Sequence, residues 1–315
     1  MRPSVDKFLR FGFLIFLVLV LAATTPGFAT ADNLADILRF SAVLIIMGVG
    51  MTFVIISAGI DLSVGSVFAF ASITAAWAMQ AELPLALSFL VAILAGALWG
   101  TLNGTMVVWL RLPPFVATLA SMGLARGAAH ILAKLISGTT TVHIPSEAFR
   151  YLYRGNLLGF FPMPVLVMLA VVALGHYVLH HTRLGRYTFA IGSNVQAARY
   201  SGIAVRRYTL MVYVLLGGLA GLASLIETAQ NGNGQAVFGQ GYELLVIAAV
   251  VIGGGSLSGG QGTVVGTLTG ALIMGVIDNG CTLNGLRYEH QLVVISILIV
   301  VAVTFDTYRR RRAGI

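Results

Sequence analysis

The chain has 315 residues, of which 58% are hydrophobic and 10% are charged, and its mean hydropathy is +0.92. Soluble domains have about 25% charged residues, so this composition excludes a soluble enzyme, a disordered chain and a coiled coil. The net charge of +8 comes mainly from arginines between apolar runs. That distribution indicates orientation in a membrane rather than nucleic-acid binding.

About ten apolar runs follow one another along the chain, and most are long enough to cross a hydrocarbon layer as helices. The third and eighth runs are short, and each adjoins a glycine-rich break. The predicted spans are residues 8–30, 35–58, 63–80, 84–110, 114–136, 162–181, 208–227, 242–255, 262–280 and 290–306. We therefore expect an all-α polytopic membrane protein of about ten transmembrane helices.

The distribution of basic residues predicts the orientation of these helices. With the N-terminus inside, the inner segments hold 13 basic residues and the outer segments hold 5, so both termini are expected in the cytoplasm. The first run, which ends at Ala29-Thr30-Ala31, also fits a cleavable signal peptide. We predict that it is retained, because its removal would leave nine crossings and spoil the charge pattern.

Two polar stretches separate the apolar runs within a predicted single transmembrane domain over residues 1–315. The longest outer loop covers about 137–161, and the longest inner loop covers about 182–208. The inner loop lies between the sixth and seventh runs and carries five arginines, and it is the more informative of the two.

The inner loop contains the signals of one short helix, predicted over Asn194–Ser201. Ser193 and Gln196 fit a capping box, and Gly202 stands where a left-handed residue ends a helix. Such a helix can dock in a groove of a partner protein, or its arginines can anchor it on anionic lipid. The residues expected to carry this contact are Ser193, Asn194, Gln196, Ala197, Ala198, Arg199 and Gly202.

The pattern G-x-x-L-S-x-G occurs twice, at Gly59–Gly65 and at Gly254–Gly260. Each copy lies between two apolar runs, which suggests an internal two-fold repeat of the kind found in many transporters. The second copy also spells LSGGQ, the signature of ATP-binding cassette ATPases. Because neither Lys7 nor Lys134 belongs to a P-loop, we interpret this match as a coincidence of a glycine- and serine-rich turn.

Three polar residues are candidates for contact with a solute in the membrane: Asp61, Asn103 and Asn279. The alternative is structural, since Asp61 lies at an inner turn and asparagines on apolar helices often bond a neighbouring helix. The chain contains no H-E-x-x-H or G-x-S-x-G motif, and Cys281 is its single cysteine. We therefore predict no catalytic residues and no metal site.

These motifs together resemble a known family. The segment Met51–Ser66 closely resembles the hallmark of ribose-type permeases of bacterial ATP-binding cassette importers, with Ala58 where a glycine is expected. The resemblance covers about residues 40–305. Further matching segments are Asn103-Gly104, Leu112–Leu119, Ile191–Asn194, Ala197-Ala198, Ser201–Ile203 and Val250–Gly255.

The resemblance implies a permease domain in the bacterial inner membrane that is not itself an enzyme. Two copies, expected as a homodimer in membrane lipid, would form the path for a monosaccharide such as ribose, xylose or galactose. A periplasmic or lipid-anchored binding protein would deliver the sugar. A cytoplasmic ATPase would bind ATP, so this chain needs no cofactor, and Asn194–Ser201 would be the coupling helix. The alternatives are an ion-coupled secondary carrier and an importer permease for a polyol, nucleoside or branched-chain amino acid.

Overall fold

The computed structural model describes residues 3–144, 146–157, 161–287, 289–297, 300, 301 and 304. Helices dominate this part of the chain, and residues 289–297 are also helical. The bounds are α1 (Pro3–Thr24), α2 (Ala31–Ile56), α3 (Val64–Gln80), α4 (Leu85–Val108), α5 (Pro114–Ser137), α6 (Glu147–Arg154), α7 (Met163–His181), α8 (Arg183–Ser193), α9 (Val195–Tyr200), α10 (Val205–Asn231), α11 (Tyr242–Ile252) and α12 (Val264–Leu283).

The helices are those of an all-α polytopic membrane protein. Within the described residues, α2, α4, α5, α7, α10 and α12 are long and apolar enough to cross a membrane. Shorter apolar helices are Arg10–Thr24 within α1, α3 and α11. The two short runs predicted from the sequence are confirmed, since α3 has 17 residues and α11 has 11.

Helix α2 forms the centre of the bundle. Every residue from Ser41 to Ile56 is buried, and α2 packs against α7, α10, α11 and α12. A helix that is apolar all round is expected to be buried on every side, and α2 meets that expectation. Its C-terminal end therefore has a fixed position relative to most of the other long helices.

The most extensive helix pair is α4 with α10. A Cβ atom on Gly96 would collide with the backbone of Gly217, and one on Gly100 would collide with the backbone of Tyr213. Small residues spaced by four allow two helix backbones to approach closely. The packing of this pair therefore fixes Tyr213 beside the inner half of α4.

The polar stretch predicted as an outer loop is largely ordered. The short strand β1 (Thr141–His143) pairs antiparallel with β4 (Asn233–Gln235), which follows α10. Helix α6 begins at an N-cap formed by Ser146, whose hydroxyl accepts a hydrogen bond from the Phe149 amide. The strands β2 (Asn156–Leu157) and β3 (Phe161–Pro162) then form a second antiparallel pair.

Candidate coupling and transport site

The predicted coupling helix is present as α9, one residue shorter at each end than predicted. Its cap differs from the prediction, because Ser193 is the last residue of α8 and Asn194 is the N-cap. The Asn194 Oδ1 atom accepts hydrogen bonds from the amides of Gln196 and Ala197, at 3.0 and 2.9 Å. Asn194 is extended, with φ −161° and ψ 103°, which is the geometry that an N-cap requires.

The C-terminal end of α9 follows the prediction. Gly202 has φ +78°, and its amide donates to the Arg199 carbonyl oxygen at 3.0 Å. The Ile203 amide donates to the Ala198 carbonyl oxygen at 3.1 Å. These two bonds form a Schellman motif, so α9 is closed at both ends despite having only six residues.

The side chains of α9 divide into an inner and an outer set. Ala198 is 4% exposed and packs with Ile191 and Val205 of the same chain. Its side chain therefore holds α9 on the bundle. The outward-facing set is Val195, Gln196, Ala197, Arg199 and Tyr200. Of these, Tyr200 is 89% exposed, and sequence analysis did not select it although a large aromatic residue in a polar loop is a usable signal.

The helix that precedes α9 was not predicted. Residues 183–193 form α8, although the glycines and arginines there suggested a loop. A Cβ atom on Gly192 in α8 would collide with the Ile56 carbonyl oxygen and lie 2.7 Å from the Gly260 nitrogen. The helix therefore presents a glycine where it meets both glycine-rich turns.

The two G-x-x-L-S-x-G segments are both turns, as predicted, and they lie against one another. The Gly260 amide donates to the Ile56 carbonyl oxygen at 2.8 Å, and a Cβ atom on Gly259 would be 2.8 Å from the Cβ of Ala58. Ala58 itself has φ +62°, a left-handed conformation that favours glycine. This explains physically why a glycine is expected at that position.

Asp61 and Asn103 are brought together in a buried polar cluster below the first turn. The Asp61 Oδ1 atom accepts from the Ser63 amide at 2.8 Å and from the Ser63 hydroxyl at 2.7 Å. The Asn103 amide nitrogen donates to Asp61 Oδ2 at 2.9 Å and to the Ser63 hydroxyl oxygen at 2.7 Å. Burial raises the pKa of the Asp61 carboxyl, and these hydrogen bonds counteract part of the rise.

Two buried polar atoms beside this cluster have no hydrogen-bond partner among the described residues. They are Asn103 Oδ1 and the Tyr213 hydroxyl oxygen. Tyr213 lies next to Gly59, where an added Cβ atom would be 2.7 Å from the hydroxyl oxygen. Unsatisfied buried polar atoms are costly, so they mark a place where a further hydroxyl group can bond.

A cavity of about 1200 Å³ opens next to this cluster. Its lining includes Gly59 and Tyr213 on the cluster side, and Arg111, Arg199 and Arg207 on the basic side. The cavity therefore extends from Gly59 and Tyr213, beside the cluster, to the surface around α9.

The third candidate, Asn279, lies elsewhere. Its amide nitrogen donates to Asn33 Oδ1 at 2.7 Å, and the Asn33 amide nitrogen donates to Asn279 Oδ1 at 3.1 Å. This reciprocal pair joins α12 to α2. Asn279 thus bonds a neighbouring helix, which is the structural role that the sequence analysis gave as the alternative to contact with a solute.

The long apolar helices of this bundle define a polytopic membrane protein. Residues 33–303 match the family described as "Branched-chain amino acid transport system / permease component", and the chain belongs to this family. The resemblance stated from the sequence is thereby confirmed. The protein is a permease of the bacterial inner membrane and not an enzyme.

The chain is similar to several named permeases along nearly its whole length. The ribose import permease protein RbsC of Escherichia coli (strain K12) is 41% identical, over 94% of this chain and 92% of the relative. RbsC of Bacillus subtilis (strain 168) is 39% identical over 93% of this chain and 90% of the relative. The D-allose transport system permease protein AlsC of Escherichia coli (strain K12) is 35% identical over 96% and 91%. No solved structure matches the chain significantly.

Proposed function

We propose that this chain is the permease subunit of an ATP-driven importer for a monosaccharide such as ribose, xylose or galactose. The observation that carries the proposal is the 41% identity to a ribose import permease over 94% of the chain. The D-allose relative supports the same class of substrate. The family description names branched-chain amino acids, so a permease for such a solute, a polyol or a nucleoside is the alternative. An ion-coupled secondary carrier is the other alternative, and no relative named above supports it.

We propose three protein partners for the chain. A second copy completes the translocation path as a homodimer, a cytoplasmic ATPase binds ATP in place of this chain, and a periplasmic or lipid-anchored protein delivers the sugar. The ATPase contact is assigned to the outward-facing side chains of α9. Val195 and Tyr200 are exposed apolar and aromatic side chains there, and such residues are enriched at the centres of protein interfaces.

The packing around α9 suggests how an ATPase movement reaches the membrane. Ala198 ties α9 to Ile191 in α8, and the next residue, Gly192, touches the hydrogen bond between Ile56 and Gly260. Rigid elements with backbone-to-backbone contacts leave little room for independent movement. We therefore propose that α8 and α9 move as one body and shift both glycine-rich turns together.

The same movement would act on the polar cluster. Asp61 follows Ile56 by five residues and is bonded to Asn103 on α4, so a shift of the first turn displaces both side chains. We propose that the side chains of Asp61, Asn103 and Tyr213 contact the sugar as it leaves toward the cytoplasm. For Asn279, whose amide is bonded to Asn33, we propose the helix-pairing role.

We also propose ten membrane crossings in a single permease domain over residues 1–315, with both termini in the cytoplasm. The C-terminal part of this proposal, including the arginines at 309–312, lies outside the described residues. The recurrence of G-x-x-L-S-x-G in both turns supports two related halves. Reporter fusions at Arg207 and Glu147, which are separated by the single long helix α7, should report opposite sides of the membrane.

The function is tested by reconstitution in liposomes. The chain alone should transport no ribose with or without a proton or sodium gradient. Addition of the proposed partner ATPase, the binding protein and ATP should produce uptake. Transport by the chain alone, driven by an ion gradient, would contradict the proposal. Uptake of leucine and not of any pentose or hexose by the complete assembly would overturn the substrate class only.

A further inference from the structure

A polar face lies halfway along α5, in a part of the protein that the sequence did not select as a site. Arg126 stands at the midpoint of α5, which has 24 residues from Pro114 to Ser137. Its Nη1 atom donates two hydrogen bonds of 2.7 Å, to the carbonyl oxygens of Ala236 and Phe238. Both hydrogen bonds use one nitrogen, so among the described residues Nε and Nη2 have no hydrogen-bond partner.

The segment that Arg126 holds re-enters the bundle. Residues 232–241, here called the re-entrant segment, follow α10 and run along α3. Gly234 packs on Ser72, and Gly239 packs on Gly65 near the start of α3. Helix α11 therefore begins deep in the bundle. This arrangement places its first residues at the depth of Arg126.

Three more polar side chains, those of Gln240, Glu243 and His130, lie at the depth of Arg126 or one helical turn away. Gln240 is exposed, and Glu243 and Arg126 are partly exposed. The Glu243 carboxylate interacts electrostatically with the Arg126 guanidinium. His130 is also partly exposed and lies one helical turn beyond Arg126 on the same side of α5.

Exposed groups of this kind are very unfavourable in contact with lipid. Charged and amide side chains at the bilayer midplane almost always face protein or a water-filled cavity. The opposite side of α5 is different, because Leu124, Ile131 and Leu135 are 62%, 63% and 78% exposed. These apolar side chains are suited to lipid, so α5 separates two environments at one depth.

We propose that Arg126, His130, Gln240 and Glu243 line the translocation path midway through the membrane, and that the same face of a second copy closes it. The identity of the solute rests on the proposed function. Arginine and glutamine supply hydrogen-bond donors, while glutamate and glutamine supply acceptors. The opposite charges of Arg126 and Glu243 offset each other, which suits a neutral polyhydroxyl solute better than an ion.

Two glycines on α5 favour a second copy as the occupant opposite this face. A Cβ atom on Gly123 or Gly127 would meet nothing within 4 Å in the described part of the chain, so neither glycine is needed for packing there. Small residues on a membrane helix allow another helix to approach closely. In a symmetric dimer the same patch of both copies faces the two-fold axis.

Thiol accessibility tests the water-filled path. Cys281 is the single cysteine, so Cys281→Ser provides a cysteine-free background for Gln240→Cys and His130→Cys. Leu124→Cys is the matched control at the same depth on the apolar side. In membranes, a charged methanethiosulfonate reagent should modify both path variants at least about tenfold faster than the control. Equal, slow modification of all three would overturn the proposal.

Cross-linking tests the second copy. Gly123→Cys in the same background, treated in membranes with homobifunctional thiol reagents of graded length, should give a band at twice the monomer mass of 33.2 kDa. A monomer band with every reagent would refute closure by a second copy. Neither test depends on sugar or ATP. If the chain alone transports the solute and the path variants are still modified, the proposed function is refuted. The inference about the path is then still supported.

Discussion

The amide nitrogen of Gly260 lies 2.8 Å from the carbonyl oxygen of Ile56, to which it donates a hydrogen bond. This bond joins two turns that are about 200 residues apart in the sequence. It also satisfies a carbonyl group at the last residue of α2, where helices leave carbonyls without intrahelical partners. Gly192 lies directly against both groups, so the position of α8 depends on this bond.

The first prediction concerns that contact. Gly192→Ala should lower the free energy of unfolding by about 1–3 kcal/mol, because the new methyl group collides with the Ile56 carbonyl oxygen. Gly12→Ala is the control, since Gly12 also lies in a helix and an added Cβ meets nothing within 4 Å. Thermal unfolding of the purified proteins measures both. Equal midpoints for the two variants would contradict the close approach of α8.

The second prediction separates the observed cap of α9 from the one predicted from sequence. Asn194→Ala should destabilise α9 locally by about 1 kcal/mol, because the amides of Gln196 and Ala197 lose their acceptor. Ser193→Ala should have little effect on α9. The rate of trypsin cleavage at Arg199 in inside-out vesicles measures this opening. Faster cleavage in Ser193→Ala than in Asn194→Ala would restore Ser193 as the cap.

The third prediction concerns docking on the ATPase. Tyr200→Ala should weaken ATPase binding by roughly tenfold or more, since an aromatic side chain central to an interface contributes about 2 kcal/mol. Tyr151→Ala is the control, as Tyr151 is 55% exposed on α6, away from α9. Binding of the detergent-solubilised permease to immobilised ATPase measures both. Unchanged affinity for Tyr200→Ala would remove this side chain from the interface.

The fourth prediction concerns the pair of asparagines between α2 and α12. A double-mutant cycle of Asn33→Ala and Asn279→Ala should give a coupling energy of about 0.6 kcal/mol, the average for polar contacts between membrane helices, and no more than about 1.7 kcal/mol. Each single variant should retain sugar uptake in proportion to its abundance. Zero coupling together with lost uptake in Asn279→Ala alone would instead assign Asn279 to the path.

The fifth prediction concerns the left-handed residue in the first turn. Ala58→Gly should raise the free energy of unfolding by up to about 1 kcal/mol. A left-handed conformation costs an alanine about 1–2 kcal/mol, and the greater entropy of unfolded glycine offsets part of this gain. Chemical unfolding in detergent measures the change. A loss of stability would show that the Cβ of Ala58 contributes packing that outweighs its strain.

Much of the fold is predictable because each long helix was marked by its own apolar run. The first span is an exception at its boundary, since the helix begins at Pro3 and ends at Thr24 instead of covering 8–30. The helix at 183–193 was missed because its glycines are placed for contact with Ile56 and Gly260. A local reading of the sequence has no information about such a contact.

The candidate site was also predictable only in part, because local signals mark a helix but carry no information about its tertiary contacts. The limits of α9 follow from local capping signals, which explains their agreement with the structure. The choice between Ser193 and Asn194 as the cap depended on where α8 ends. The inward orientation of Ala198 depended on Ile191 and Val205. Both are properties of the packed loop and not of the capping motif.

The sequence by itself determined that this protein is a helical membrane protein, because composition and run length act through local physics. Its permease class followed from the resemblance of its motifs to a known family. It also determined the short helix between two capping signals and the two glycine-rich turns. Only the tertiary structure decided that Asp61 bonds Asn103, that Asn279 bonds Asn33, and that Arg126 holds the re-entrant segment. These contacts join residues 42, 246 and about 110 positions apart. Hydrogen-bond partners at such distances along the chain are chosen by how the helices pack.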